Sequence, residues 1–171
     1  MQVFAVLSKL IDYPDNELFE NLDGVIDYVK DSSEIATDEK EILMDFISWM
    51  RSHTATKLQE AYVEMFDMVP EHDLHLTHHI FGDDRQRGPA LIDLSEHFKN
   101  EGLEVKEGEI PDFLPLLLEY ASTLDDIKSR EFLGDAKKII TIIADNLEKA
   151  KSPYSKLIRI VEKHSCLTFA A

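Results

Sequence analysis

The segment LHLTHHIFGDDRQRG, Leu74–Gly88, places three histidines, two acids, two arginines and two glycines within fifteen positions at the middle of the chain. Apolar, helix-patterned sequence flanks it on both sides, so Leu58–Glu119 reads as a polar centre held between helices. Folding alone does not require so many polar groups there, and the functional residues are sought in this stretch.

Toward the N-terminus, Lys57–Met68 predicts a helix with Leu58, Tyr62, Met65 and Phe66 on one stripe, stopped by Pro70. Val3, Phe4, Leu7, Leu10 and Ile11 predict a first helix ended by Pro14. Asn16–Lys30 carries Leu18, Leu22, Val25, Ile26 and Val29 on one face. After a polar loop, Asp38 and Glu41 resemble a capping box opening a helix through Ile42, Phe46, Ile47 and Met50, with Trp49 and Met50 on its buried side.

Toward the C-terminus, Pro89–Asn100 predicts a long helix with Gly102 as its left-handed stop, followed by a charged loop, Leu103–Ile110. Asp112 is placed to cap a helix whose core face is Leu114, Leu117, Leu118, Ala121 and Leu124, with Pro115 in its first turn. Phe132, Ala136, Ile139, Ile140, Ile143 and Leu147 form one stripe, and Ser152-Pro153 opens a last helix carrying Leu157, Ile158 and Val161. No stretch alternates with period two over a strand's length. The expected fold is all-α: a single domain over residues 1–171, a bundle of about eight helices.

An apolar fraction of 44% is enough for a proper core, and no run long enough to span a bilayer occurs, so membrane insertion is not expected. MQVFAVLSKLIDYP lacks the basic start and the cleavage site of a signal peptide. The lone cysteine, Cys166, allows no internal disulfide and fits the reducing cytoplasm. A net charge of -16 repels phosphate backbones, which disfavours nucleic acid, and attracts basic peptides.

Histidines raise the question of metal. His75 and His79 are spaced to share one helical face, with His72 and His78 nearby. A metalloprotease motif needs glutamate where Leu76 stands, and no histidine has an acid three residues before it, as carboxylate-bridged di-iron bundles require. The competing reading is histidines that hydrogen-bond across a groove or loop. No nucleophile elbow is present, and Gly82 and Gly88 match no phosphate loop; they are read as permitting tight turns. Arg85 and Arg87 suit an anion clamp or pairing with Asp83, Asp84 or Asp93. No catalytic set emerges, and no cofactor is expected.

Three linked elements carry a family resemblance: YVEMFD at Tyr62–Asp67, LHLTHHIFGDDRQRGPALIDL from Leu74, and EIPDFLPLLLE at Glu109–Glu119. Together they resemble the NarJ family of nitrate reductase assembly chaperones, within the TorD-like group of molybdoenzyme maturation proteins. The matching positions are Tyr62, Val63, Phe66 and Asp67; Leu74, His75, Leu76 and His79; Gly82, Asp83, Arg85, Arg87 and Gly88; and Pro111, Asp112, Leu114, Pro115, Leu118 and Glu119. Phe81 and Phe113 stand where the pattern has histidine, which removes two groups that titrate near neutral pH.

The resemblance implies a non-enzymatic, all-helical cytoplasmic chaperone, with a monomer favoured. Its partner would be the apo catalytic subunit of nitrate reductase or a related molybdoenzyme, bound through the N-terminal segment while molybdenum cofactor and iron–sulfur clusters are inserted. A groove floor of Tyr62, Phe66, Leu76, Leu114 and Leu118 is expected, with the alternative that these are core. Asp67, Asp83, Asp112 and Glu119 would meet basic client residues, and His75, His79, Arg85 and Arg87 would be polar anchors, with Pro111 beside them. The rival readings are a metal-dependent enzyme built on the histidines and a dimerisation scaffold without a client.

Overall fold

The computed structural model describes residues 2–166, and among them there are ten α-helices and no β-strand. Helices α1 (Gln2–Ile11), α2 (Asn16–Asp31), α3 (Thr37–Arg51) and α4 (Ala55–Tyr62) make the N-terminal half. A π turn, Val63–Asp67, and a short 3-10 turn, Pro70–His72, lead to α5 (Leu76–Phe81) and α6 (Arg87–Asn100). After the charged loop come α7 (Leu114–Thr123), α8 (Asp126–Gly134), α9 (Lys137–Lys149) and α10 (Ser155–His164). The count exceeds the expected eight for two reasons. Leu76–Phe81 is too short to show a period, and the Phe132–Leu147 stripe is cut at Asp135-Ala136 into α8 and α9.

The bundle is built on two close helix pairs, α1 against α7 and α9 against α10, joined where α10 also meets α1 and α3. Phe4, Leu7, Leu10 and Ile11 of α1 are fully buried, as are Leu114 and Leu118 of α7. Below the π turn, the Tyr154 ring lies edge-on to Phe66 at 5.0 Å and to Phe46 at 4.9 Å, which fastens the α4 end to α3.

Three caps differ from expectation. Asp38 lies inside the first turn of α3, whose N-cap is Ala36 with no side-chain bond, so no capping box forms. Asp112 does not cap α7, which starts after Phe113. Its carboxylate is turned elsewhere, as described below. Asp125, not anticipated as a cap, accepts from the Lys128 amide at 2.8 Å and starts α8, which is why α7 stops before Leu124.

Glu39 ties α3 to α10. It is buried, and its Oε1 accepts from Lys163 Nζ and His164 Nε2, both at 2.8 Å. Burial alone would raise its pKa; the bonds from His164 and Lys163 outweigh that and hold it at about 2. Its contribution is therefore present above the usual glutamate range and is lost as pH falls toward 2. Glu39→Gln should cost about 1–3 kcal/mol near neutrality in urea unfolding, and the deficit should shrink as pH approaches 2.

Candidate functional site

The polar centre is assembled by backbone pairing between two distant stretches. Leu76 N donates to the Asp112 carbonyl at 3.1 Å, and Leu114 N donates to the Leu74 carbonyl at 2.9 Å. His75 and Phe113 thus face each other in an isolated antiparallel bridge, and their rings stack at 5.1 Å. Phe113, one of the two departures from the resembled pattern, supplies an apolar stacking face to a histidine.

The Asp112 side chain adds a second tie. It is 1% exposed, and its Oδ2 accepts from Thr77 N at 2.9 Å and Thr77 Oγ1 at 2.5 Å. An aspartate 35 residues downstream therefore supplies the N-terminal cap of α5. Arg87, at the first position of α6, donates through Nε to Thr77 Oγ1 at 3.0 Å and lies 3.7 Å from Asp112 Oδ2. One carboxylate thereby gathers the starts of α5, α6 and α7. Asp112 faces inward, so it is not free to meet a basic client group, and Arg87 pairs with Asp112 rather than with Asp83, Asp84 or Asp93.

The histidines converge on a residue that the sequence reading did not single out, Asp73. His75 Nδ1 donates to Oδ1 at 2.8 Å and His78 Nδ1 to Oδ2 at 2.6 Å. His79 Nε2 donates to the Asp73 carbonyl at 2.6 Å. His72 is separate: its Nδ1 donates to the Met65 carbonyl at 3.0 Å and holds the π turn. His75 lies at the cap position of α5 rather than on a shared helical face with His79. The arrangement is of hydrogen bonding within a loop, and among the described residues no group of three or more His, Cys, Asp or Glu side chains could hold a metal ion. The available signal was the acid itself, placed two residues before His75 and five before His78.

Beside this cluster lies a cavity of about 310 Å³. Tyr13, Tyr62, Phe66, Ile110 and Phe113 form its apolar walls, and Asp67, Asp73, His75 and Glu109 its polar ones. Of the expected groove floor, Tyr62 and Phe66 line it, whereas Leu76, Leu114 and Leu118 are core residues that do not reach it. Tyr13, Glu109 and Ile110 were absent from the expected set; Tyr13 comes from the loop after α1, and Glu109 and Ile110 open the third motif. Glu119 lies on a second cavity, of about 240 Å³, with Phe98, Leu103 and Leu116; the two cavities share Glu109.

The remaining expected residues fall around this core. Asp83 and Arg85 are exposed on the turn after α5, and Pro111 is buried ahead of the bridge. Gly82 has φ +54, a backbone that L side chains rarely adopt, where it ends α5. Gly88 lies within the first turn of α6 without a positive φ, so it shapes no turn.

The profile of the nitrate reductase delta subunit family matches residues 32–158, which includes the bridge, the Asp73 cluster and most of the cavity wall. The chain belongs to the nitrate reductase delta subunit family. Among its relatives, the nitrate reductase molybdenum cofactor assembly chaperone NarJ of Escherichia coli (strain K12) is 28% identical over 159 residues, covering 93% of this chain and 67% of the relative. The probable nitrate reductase molybdenum cofactor assembly chaperone NarJ of Bacillus subtilis (strain 168) is 30% identical, covering 92% of this chain and 85% of the relative. The nitrate reductase-like protein NarX of Mycobacterium tuberculosis (strain ATCC 25618 / H37Rv) is 25% identical, but the match covers only 24% of that longer protein. No helix among the described residues is long and apolar enough to cross a membrane.

Burial works against ionisation of Asp73, but hydrogen bonds from His75 and His78 prevail and hold its carboxyl at about 2. The same bond raises His75, with burial opposing. The lowered Asp73 stabilises the fold above the ordinary aspartate range and ceases to do so as pH falls toward 2. The raised His75 stabilises it fully below the ordinary histidine value, and this is lost as pH rises through the folded value. Both act together between about pH 4 and about pH 6.5. The stability gap between wild type and Asp73→Asn, from denaturant unfolding, should be widest in that window and narrow on either side. A gap independent of pH would mean that the cluster is not ionised as described.

Proposed function

We propose that the protein is a maturation chaperone for the catalytic subunit of a respiratory nitrate reductase or a related molybdoenzyme. It acts by binding rather than by catalysis, in the cytoplasm and as a monomer. It takes the N-terminal segment of the apo subunit and holds that subunit while the molybdenum cofactor and iron–sulfur clusters are inserted. The observation that carries this reading is membership of the family over residues 32–158, together with the chaperone role in the names of its NarJ relatives.

The physical features agree with a binding role. The family-like motifs meet at one place: Tyr62, Phe66, Asp67, Leu74 and His75 line the cavity, and the Pro111–Leu114 stretch is bridged to Leu74–Leu76. The cavity offers aromatic walls and carboxylates, which suits an amphipathic segment with basic positions. A net charge of -16 steers such a segment toward the surface. Asp67, Asp83 and Arg85 are exposed around the centre and available to a client, whereas His79, Arg87 and Asp112 hold the centre together.

Calorimetric titration with a synthetic N-terminal peptide of a nitrate reductase catalytic subunit tests the proposal. Binding should weaken as salt rises, and Asp67→Lys should weaken it at least about tenfold, about 1.4 kcal/mol. A scrambled peptide that binds equally well would contradict the reading.

A further inference from the structure

We infer that the 310 Å³ cavity is a recognition pocket for one cationic side chain of the partner, an arginine by preference, set between aromatic rings and closed by Asp67 and Glu109. The inference rests on the peptide-binding reading above and assigns a chemistry to one of its contacts.

Three independent features point to a cation. The first is charge. Asp67, Asp73 and Glu109 line the cavity, and among the described residues no lysine or arginine does. Asp73 accepts hydrogen bonds from His75 and His78, but neither Asp67 nor Glu109 makes an ion pair among the described residues. Two carboxylates lining one cavity are thus without an ion pair, and a bidentate guanidinium satisfies carboxylates better than a point-charge ammonium does.

The second is the wall. Tyr13 is 43% exposed and stands edge-on to Tyr62 at 5.5 Å. Tyr13 therefore keeps ring surface available to a visitor. Guanidinium groups stack on aromatic faces, and the carboxylates nearby strengthen the preference for a cation over a neutral group.

The third is an unpartnered polar atom. Tyr62 is 4% exposed, lines the cavity, and its hydroxyl has no hydrogen-bond partner. Burial raises the phenol, and the neighbouring Asp12, Tyr154, Asp67 and Asp73 raise it further. A buried hydroxyl without a partner is costly, and an incoming N–H donor relieves it. Asp67 and Glu109 take part in neither the Asp112 tie nor the Asp73 cluster, so these two carboxylates can be altered without dismantling the fold around them.

The test uses the whole chain and a small probe, N-acetyl-arginine amide, with N-acetyl-citrulline amide as the isosteric neutral control. In NMR titration, arginine amide should give saturable shifts at the backbone amides of His75, Gly108, Glu109 and Ile110, and citrulline amide should not. The double variant Asp67→Asn with Glu109→Gln should weaken the response at least about threefold while amides of α9 and α10 keep their positions. Equal responses to the two probes, or none to either, would overturn the inference. If the arginine response holds while every client peptide fails to bind, the pocket stands and the client assignment falls. If a client peptide binds but arginine and citrulline behave alike, the chaperone reading stands and the pocket falls.

Discussion

A single buried carboxylate sets the geometry of the functional region. Asp112 is removed from water, yet it lies at the meeting point of three helix starts, with the Thr77 amide, the Thr77 hydroxyl and Arg87 all turned toward one of its oxygens. Burying an ionised group is expensive unless donors replace water, so the surrounding elements must stay where they supply those donors. The second oxygen has no partner in this arrangement, which leaves the tie dependent on the first. Alongside it, the two backbone bonds of the His75–Phe113 bridge give the helical fold a short extended pairing, placed where loop backbone would otherwise lack partners.

The histidine-rich centre follows from the same need for pairing. Asp73 accepts from two imidazoles through its carboxylate and from a third through its carbonyl, so a cluster that suggests metal chemistry in the sequence serves to fix a loop. The loop in turn forms one wall of the cavity, with the π turn held by His72 as another. Polar groups at the centre thus act on one another and on the protein's own backbone, and the aromatic and acidic cavity lies beside them.

Helices with their own apolar stripe were legible from sequence. The stripes of α1, α2 and α3 set their limits to within a residue or two, because each face is decided by neighbours three and four positions away. Leu76–Phe81 was not legible as a helix, since it is too short for a period and its cap lies far along the chain. The same distance hid the true partner of Arg87 and the inward turn of Asp112. The spacing of Asp73 from His75 and His78 was a weak signal, and only folding shows that three histidines bend back to it. Tyr62, Phe66, Asp67 and His75 were found through their place in linked motifs; Glu109 and Ile110 open the third motif but were not singled out within it, and Tyr13 belongs to the cavity through tertiary contact alone.

The central claim is that Asp112 holds the α5 region in place, and native-state hydrogen exchange on Asp112→Ala tests it most directly. The Thr77 and Gly82 amides, which bond to Asp112 Oδ2 and to the His78 carbonyl, should exchange faster by a factor corresponding to about 1–3 kcal/mol. Ile140 and Ile143 in the buried face of α9 should keep their protection. Unchanged exchange at Thr77 and Gly82, or an equal loss of protection throughout α9, would contradict the claim.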